Sequence, residues 1–340
     1  MKGRSIVLDH LNGQEAAALL VNGVLHDLLV DDDAAPRPGA IFRAICDRPI
    51  KGQGGMMLRL PDGETAFLRR GSGLRPGQPL LVQVTGYAED GKAIPVTDRV
   101  LFKSRYAIVT PGKPGLNVSR AITDDDRRDH LKGLAIEADD GKHGMILRSS
   151  CLTGANEDIL EDIQAMQDLA AAVMQDEVGT EPEALTEGDG PHVLAWREWT
   201  APAQVETDAD GFERLGVLDQ LETMAGTVIP IEDGSIYLET TRALVAVDVN
   251  TGGDTSPAAA LKANLAAAKA LPRALRLRGL GGQIVVDFVS ISKAHRKQVE
   301  QALRAAFRED PIETSLVGWT TMGFFELQRK RERLPLKGLV

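Results

Sequence analysis

Cysteine is scarce: Cys46 and Cys151 are the only two in 340 residues, with no CxxC pair and no histidine cluster beside them. That pattern excludes a disulfide framework, gives no basis for a structural zinc site, and points to a reducing compartment, the cytoplasm. Long hydrophobic runs are missing too. The longest, such as residues 283–289, are strand-sized, far short of the ~20 apolar residues that span a bilayer. The N-terminus reaches Asp9 after three apolar positions and offers no leader-type apolar stretch or cleavage site, so secretion is not expected.

Basic charge is also in deficit. The net charge is −10, whereas phosphate binding ordinarily needs Lys and Arg in excess. The distribution changes that picture. Residues 261–340 hold 15 Lys/Arg against 7 Asp/Glu, a balance of +8, which leaves −18 for residues 1–260. Residues 149–196 hold 11 Asp/Glu and no Lys or Arg, so polyanion contact is disfavoured there and a solvated helical face followed by a loop is expected.

With 43% apolar residues over this length, the chain can bury more than one core. Residues 5–30 read as a strand, an Asn-Gly turn and a helical or strand continuation, and the run Asp31-Asp-Asp-Ala-Ala-Pro-Arg-Pro-Gly then breaks the pattern. From 39 to 100, five short β-type runs (41–46, 55–60, 64–68, 79–84 and 92–96) are separated by turns such as Pro61-Asp-Gly. Five strands in that length suggest a small barrel of the OB type, a fold that commonly binds oligonucleotides. Residues 124–139 and 159–176 read as helices with a short strand at 144–149 between them, and 186–192 as a loop. The last third alternates: strands at 235–239, 243–249, 283–289 and 312–317, helices at 257–277 and 293–307, with Pro272 expected to kink or split the first helix. The predicted boundaries are 1–34, 35–100, 101–215 and 216–340, an α/β and α+β multidomain chain.

Asp248 ends one apolar run and Asp287 another. A carboxylate at the end of a buried strand is costly unless paired or metal-bound, and two on neighbouring strands repel each other. A divalent cation resolves both problems. Magnesium, with manganese as an alternative, prefers oxygen ligands and is typically held by one or two carboxylates plus substrate phosphate. Asn250 shares a face with Asp248 through the two-residue period of a strand and is placed to position a phosphate. The competing reading is that Asp248 and Asn250 cap a turn while Asp287 pairs with Arg273, Arg276 or Arg278.

The segments Ala243-Leu-Val-Ala-Val-Asp-Val-Asn, Asn264-Leu-Ala-Ala-Ala, Leu275-Arg-Leu-Arg-Gly-Leu-Gly-Gly-Gln-Ile-Val-Val-Asp-Phe-Val and Met322-Gly-Phe-Phe-Glu-Leu-Gln-Arg-Lys-Arg together resemble the nuclease domain of the ribonuclease E/ribonuclease G family. The resemblance implies a magnesium-dependent endoribonuclease acting on single-stranded RNA in ribosomal RNA maturation or messenger decay, and leaving 5′-phosphate and 3′-hydroxyl ends. Asp248 and Asp287 would be the metal-holding pair, with Asn250 at the phosphate. It further implies an RNase H-like fold, over 1–34 and 101–215, interrupted by the OB-type RNA-binding domain, then a DNase-I-like nuclease domain from 216. A homodimer is consistent with the family.

Upstream the likeness is collinear. Phe67 matches an aromatic that stacks on a base, Met57 stands where a second is expected, and Lys92 matches a basic RNA contact. Arg148-Ser149 is similar to the family's pocket for an RNA 5′-monophosphate, and Ser119-Arg120 matches the start of a nearby arginine motif in which Ala121 replaces a second Arg. The blander readings are Phe67 as barrel core and Arg148 as a salt-bridge partner of the acidic helix after it. Three departures stand out: Ser290 replaces a nearby acidic residue, Thr320-Thr321 replaces an expected Arg, and the paired cysteines that link subunits through zinc are absent from the sequence. Arg329-Lys-Arg and Lys293 are candidates to compensate for the missing Arg. The functional alternative is a catalytically weakened RNA-binding protein. A nucleotide hydrolase fits poorly, since Gly279-Leu-Gly-Gly is too short for a phosphate loop and precedes a strand.

Overall fold

The computed structural model describes residues 3–32, 34–50, 52, 54–89 and 91–336, and the chain divides into two units, residues 33–201 and residues 1–32 with 202–340. In the first unit, alternating apolar residues build a closed five-stranded barrel. Strands Ile41–Ile50, Gly55–Arg59, Thr65–Leu68, Pro79–Val84 and Ile94–Thr97 are ordered one-two-three-five-four, and the first pairs with the fourth. The third and fifth run parallel, Ala66 beside Ile94 and Leu68 beside Val96. Successive strand residues point to opposite faces, which puts Ala44, Cys46, Leu58, Ala66, Val82 and Val96 inside. This matches an OB-type arrangement, with all five anticipated strands present and the first extended to Ile50.

Strand Glu183–Thr186 adds to the first barrel strand, and helix Pro191–Glu198 begins within the stretch expected to be loop. The remainder of this unit is a four-stranded sheet in the order Gly115–Val118, His143–Leu147, Ala107–Pro111, Phe102–Lys103. Helices Asp125–Glu137 and Asn156–Gln175 pack against it. In the second helix Ile159, Ile163, Ala170 and Val173 are buried while Glu157, Asp158, Glu161 and Asp168 are exposed, the solvated acidic face expected of a 3.6-residue period. Asp162 is the exception: it turns inward and accepts the backbone N–H groups of Tyr106 at 2.8 Å and Ala107 at 3.1 Å. Both cysteines are buried in this unit, Cys46 in the barrel and Cys151 in the adjoining core.

In the second unit, strands Arg4–Leu11, Gln14–Val21 and Val24–Val30 form an antiparallel meander. Its two turns are Asn12-Gly13 and Asn22-Gly23, all four residues at positive φ, the primed geometry that suits the twist of tight hairpins. The open alternative at 5–30 therefore resolves as strand throughout. Gln204–Glu206 joins the outer edge of the first strand in parallel, so these strands lie in one unit with residues 202–340.

The larger sheet has the order Val228–Ile231, Gly234–Thr240, Val245–Thr251, Gly282–Asp287, Phe325–Arg329, Thr314–Trp319. Its one parallel pair, Val245–Thr251 with Gly282–Asp287, needs a long crossover. Helix Pro257–Leu277 supplies it, starting at Ser256, whose side chain caps Ala259 N–H at 3.2 Å. The helix runs as one element through Pro272, so the expected split does not occur; proline's fixed φ is itself helical, and the cost is confined to a missing hydrogen bond and a local clash. Together with helix Lys293–Glu309 it packs on one face of the sheet, against Val247, Val249, Ile284, Val286, Phe325 and Leu327. Among the described residues, no helix is long and apolar enough to cross a membrane.

A buried ionic network fastens this unit. Arg329 and Asp310, side chains 0% and 1% exposed, pair at 2.8 Å. Asp310 also binds Arg276, which reaches Asp27 at 3.4 Å, and Asp27 meets Arg333 at 3.2 Å. Every carboxylate in it is matched by at least two guanidinium groups, the condition under which buried charge is tolerated.

Candidate active site

In strand Val245–Thr251, Val245, Val247 and Val249 are buried, so the alternate residues Ala246, Asp248 and Asn250 point to the opposite, open face. Strand Gly282–Asp287 repeats the pattern, with Ile284 and Val286 buried and Asp287 exposed. The parallel register sets Asp248 directly beside Asp287, on strands ~4.8 Å apart. Both carboxylates are exposed, so the expectation of burial cost is corrected: these strands are covered on one face only. What remains is two like charges side by side. Among the described residues no Lys or Arg forms an ion pair with either.

That disposes of the competing reading in which an arginine neutralises Asp287. Arg276 binds Asp27 and Asp310, Arg273 donates from Nε to the Leu25 carbonyl at 2.8 Å, and Arg278 donates to the Gly226 carbonyl at 3.3 Å. Asn250 Nδ2 donates to Asp248 Oδ2 at 2.7 Å, which orients that carboxylate and leaves the second amide hydrogen for another acceptor. Gly234 makes this arrangement feasible, because a Cβ there would sit 2.0 Å from the Asn250 carbonyl oxygen.

The donor set fits a hard divalent cation. Two carboxylates with open coordination space suit magnesium, which keeps waters and takes the rest of its shell from substrate phosphate. It does not suit a structural zinc ion, which wants four protein ligands; among the described residues no group of three or more His, Cys, Asp or Glu converges to hold a metal.

One positioning residue escaped the functional reading of the sequence although it lies in a quoted segment. Asn264, fully buried in the alanine-rich crossover helix, donates from Nδ2 to the Val289 carbonyl at 2.9 Å and accepts the Val289 N–H through Oδ1 at 3.0 Å. This two-way clamp holds the chain two residues past Asp287. The available signal was an amide on the apolar stripe of a helix, where a polar side chain must have a partner. Nearby, Trp319 contacts Phe288 and Phe325 with centroids 5.7 and 5.2 Å apart, and the Arg296 guanidinium lies 4.8 Å above its ring. Arg329 cannot replace the missing arginine, since its side chain is fully buried against Asp310, and Lys330 pairs with Glu313 at 2.6 Å. Ser290 is exposed beyond the Asp287 strand.

The residues expected to contact RNA elsewhere lie in the other unit. Phe67 and Met57 are cross-strand partners on the outer side of the barrel, outside its core, which rules out Phe67 as core filling. Lys92 forms a surface pair with Glu89. Strands Gly115–Val118 and His143–Leu147 run parallel with Val118 beside Leu147, bringing Arg120 and Arg148-Ser149 to the same sheet end. Arg120 and Ser149 are exposed. Arg148 is engaged: it donates to Glu198 Oε2 at 2.6 Å and to the Ser104 and Arg197 carbonyls. Its salt-bridge partner is thus on helix Pro191–Glu198 rather than on the acidic helix. Burial pushes the Glu198 carboxyl up, yet Lys103, and then Arg148 and Arg197, outweigh it and hold the group down to about 2.

A sequence model described as the Ribonuclease E/G family matches residues 102–204 and 198–332. The chain is 26% identical to ribonuclease G of Salmonella typhimurium over 76% of this chain and 61% of that protein. It is 28% identical to ribonuclease E of Nostoc over 76% of this chain and 44% of that protein, and 25% identical to ribonuclease E of Synechocystis over 88% and 51%. The chain therefore spans between 44% and 61% of the length of these relatives. The family match runs through the strands that carry both aspartates and the residues that fix them, and the chain belongs to the Ribonuclease E/G family.

Proposed function

We propose that this protein is an endoribonuclease that hydrolyses single-stranded RNA with magnesium, or manganese in its place, leaving 5′-phosphate and 3′-hydroxyl ends, in ribosomal RNA processing or messenger decay in the cytoplasm. The observation that carries the reading is the register pairing of Asp248 with Asp287 on an open sheet face with no cationic partner among the described residues. The names of the relatives support the substrate class. On this reading the chain on both sides of the OB-type barrel, up to residue 215, belongs to an RNase H-like part, the six-stranded sheet with its two helices is the DNase-I-like nuclease domain, and the active form is a homodimer.

Asp248 and Asp287 hold the cation, and Asn250 keeps Asp248 in its ligating orientation while its free amide hydrogen binds a phosphate oxygen. The bound ion supplies Lewis acidity at the phosphoryl group and a water of lowered pKa. Phe67 stacks on a base and Lys92 neutralises backbone charge at the barrel. Arg120 and Ser149 are the exposed groups for a 5′-phosphate, and Arg148 joins them by exchanging Glu198 for the phosphate.

The test is cleavage of a labelled 5′-monophosphorylated single-stranded RNA by the wild type and by Asp248→Asn, with magnesium and with chelator. Metal-dependent cutting that falls by more than about 100-fold in the variant is expected, since even groups that only support a metal ligand are worth 10- to 100-fold. Intact RNA that nevertheless binds would favour the second reading, a weakened RNA-binding protein, for which Ser290, Met57 and Thr321 are the motivating residues.

A further inference from the structure

We infer that Tyr237 is the stacking platform for a base flanking the scissile phosphate; the inference rests on the nuclease reading of the carboxylate pair. Strand Gly234–Thr240 pairs with Val245–Thr251 so that Tyr237 stands directly opposite Asp248, and Asp248 is in register with Asp287. Partners in register share a face, with Cβ atoms ~5 Å apart. An aromatic ring and two carboxylates thus form one row across the open side of the sheet. Tyr237 keeps 39% of its surface exposed although its chain neighbours Ile236 and Leu238 are buried. Its flanking partner in the row, Val228, is 45% exposed.

The charge on this face gives the ring its role. One row away Glu239 and Glu326 point to the same side as Asp248 and Asp287, and all four are exposed. A polyanion drawn to this surface meets four negative groups, so the cation offsets repulsion only at the phosphate it touches. The neighbouring nucleotide needs an attraction that does not depend on charge. Base-on-aromatic stacking supplies one, and it tolerates any base because every base has a π face. Tyr237 lies one strand from Asp248 and two strands from Asp287, at the Asp248 end of the row, where a base adjoining the bound phosphate would lie. Tyrosine also loses little conformational freedom on stacking, having two side-chain torsions.

The experiment is a double-substitution cycle on the whole chain with magnesium. Wild type, Tyr237→Ala and Tyr237→Phe are given one labelled single-stranded RNA and two versions abasic at the nucleotide just 5′ or just 3′ of the cut. Stacking predicts that Tyr237→Ala lowers kcat/KM ~10-fold on intact RNA, that Phe restores it, and that one abasic substrate erases the difference between Ala and wild type. It also predicts that the Ala defect stays constant as salt is raised, unlike the loss of a phosphate contact. Full activity of Tyr237→Ala, or defects that multiply on both abasic substrates, would overturn the inference. If the wild type cuts nothing, the nuclease reading falls and the same cycle is read as RNA affinity by fluorescence anisotropy. Affinity unchanged by Tyr237→Ala would then end the stacking claim as well.

Discussion

Asn264 is the residue whose loss reaches the site without touching it. Replacement by alanine strips both partners from the Val289 backbone, and leaving buried polar groups unpaired costs about 1–3 kcal/mol. Urea unfolding of Asn264→Ala should report a destabilisation of that size, with kcat falling because the end of the Asp287 strand loses its clamp; an unchanged midpoint would show the clamp to be dispensable. At this scale the sequence was readable where chemistry and pattern coincide. Asp248, Asn250 and Asp287 stand out at strand ends, and the two-residue period already put the first two on one face. Arg329 was misjudged because a charged residue in a basic run reads as solvated, and only the fold reveals Asp310 beside it. The exposure of both aspartates was equally hidden, since a strand's own residues do not say whether a helical layer covers its second face.

Among the elements, helix Pro191–Glu198 carries the clearest pH signature. Glu198 titrates at about 2 in the folded unit against an ordinary value of 4.5. A depressed carboxyl pKa contributes stability that is whole above the ordinary value and disappears as pH falls through the folded one. Urea midpoints should therefore decline between about pH 4.5 and 2, and Glu198→Gln should flatten that decline; identical profiles would remove Glu198 as its source. The same helix bears on the 5′ end. Arg148→Ala should slow cleavage of 5′-monophosphorylated RNA more than of triphosphorylated or hydroxylated RNA, and equal slowing of all three would make Arg148 purely structural. Element identity was largely legible from apolar periodicity, down to helix Pro257–Leu277 with both ends as expected. The strand Phe325–Arg329 was not assigned, because its apolar residues are few and its place between Gly282–Asp287 and the edge strand follows from a hairpin with Thr314–Trp319 that no local signal announces.

For the molecule as a whole, the ionic network from Asp27 through Arg276 and Asp310 to Arg329 matters more than any surface pair. It joins the first meander to the crossover helix and the last strand. Asp310→Asn takes the carboxylate from buried Arg329 and one of the two that Arg276 contacts, and breaking a buried pair from one side costs about 3–5 kcal/mol. Thermal unfolding should show a loss of that order, whereas a surface control such as Glu313→Gln, whose ion-pair partner is Lys330, should stay within about 1 kcal/mol. The two cysteines lend the molecule a practical property. Both thiols are enclosed, and burial raises Cys46 and lifts Cys151 to about 11, so neither supplies appreciable thiolate at neutral pH. A single cysteine engineered on the surface would be the preferred target for a maleimide dye, and RNA docking and release could be followed by fluorescence on an otherwise native chain.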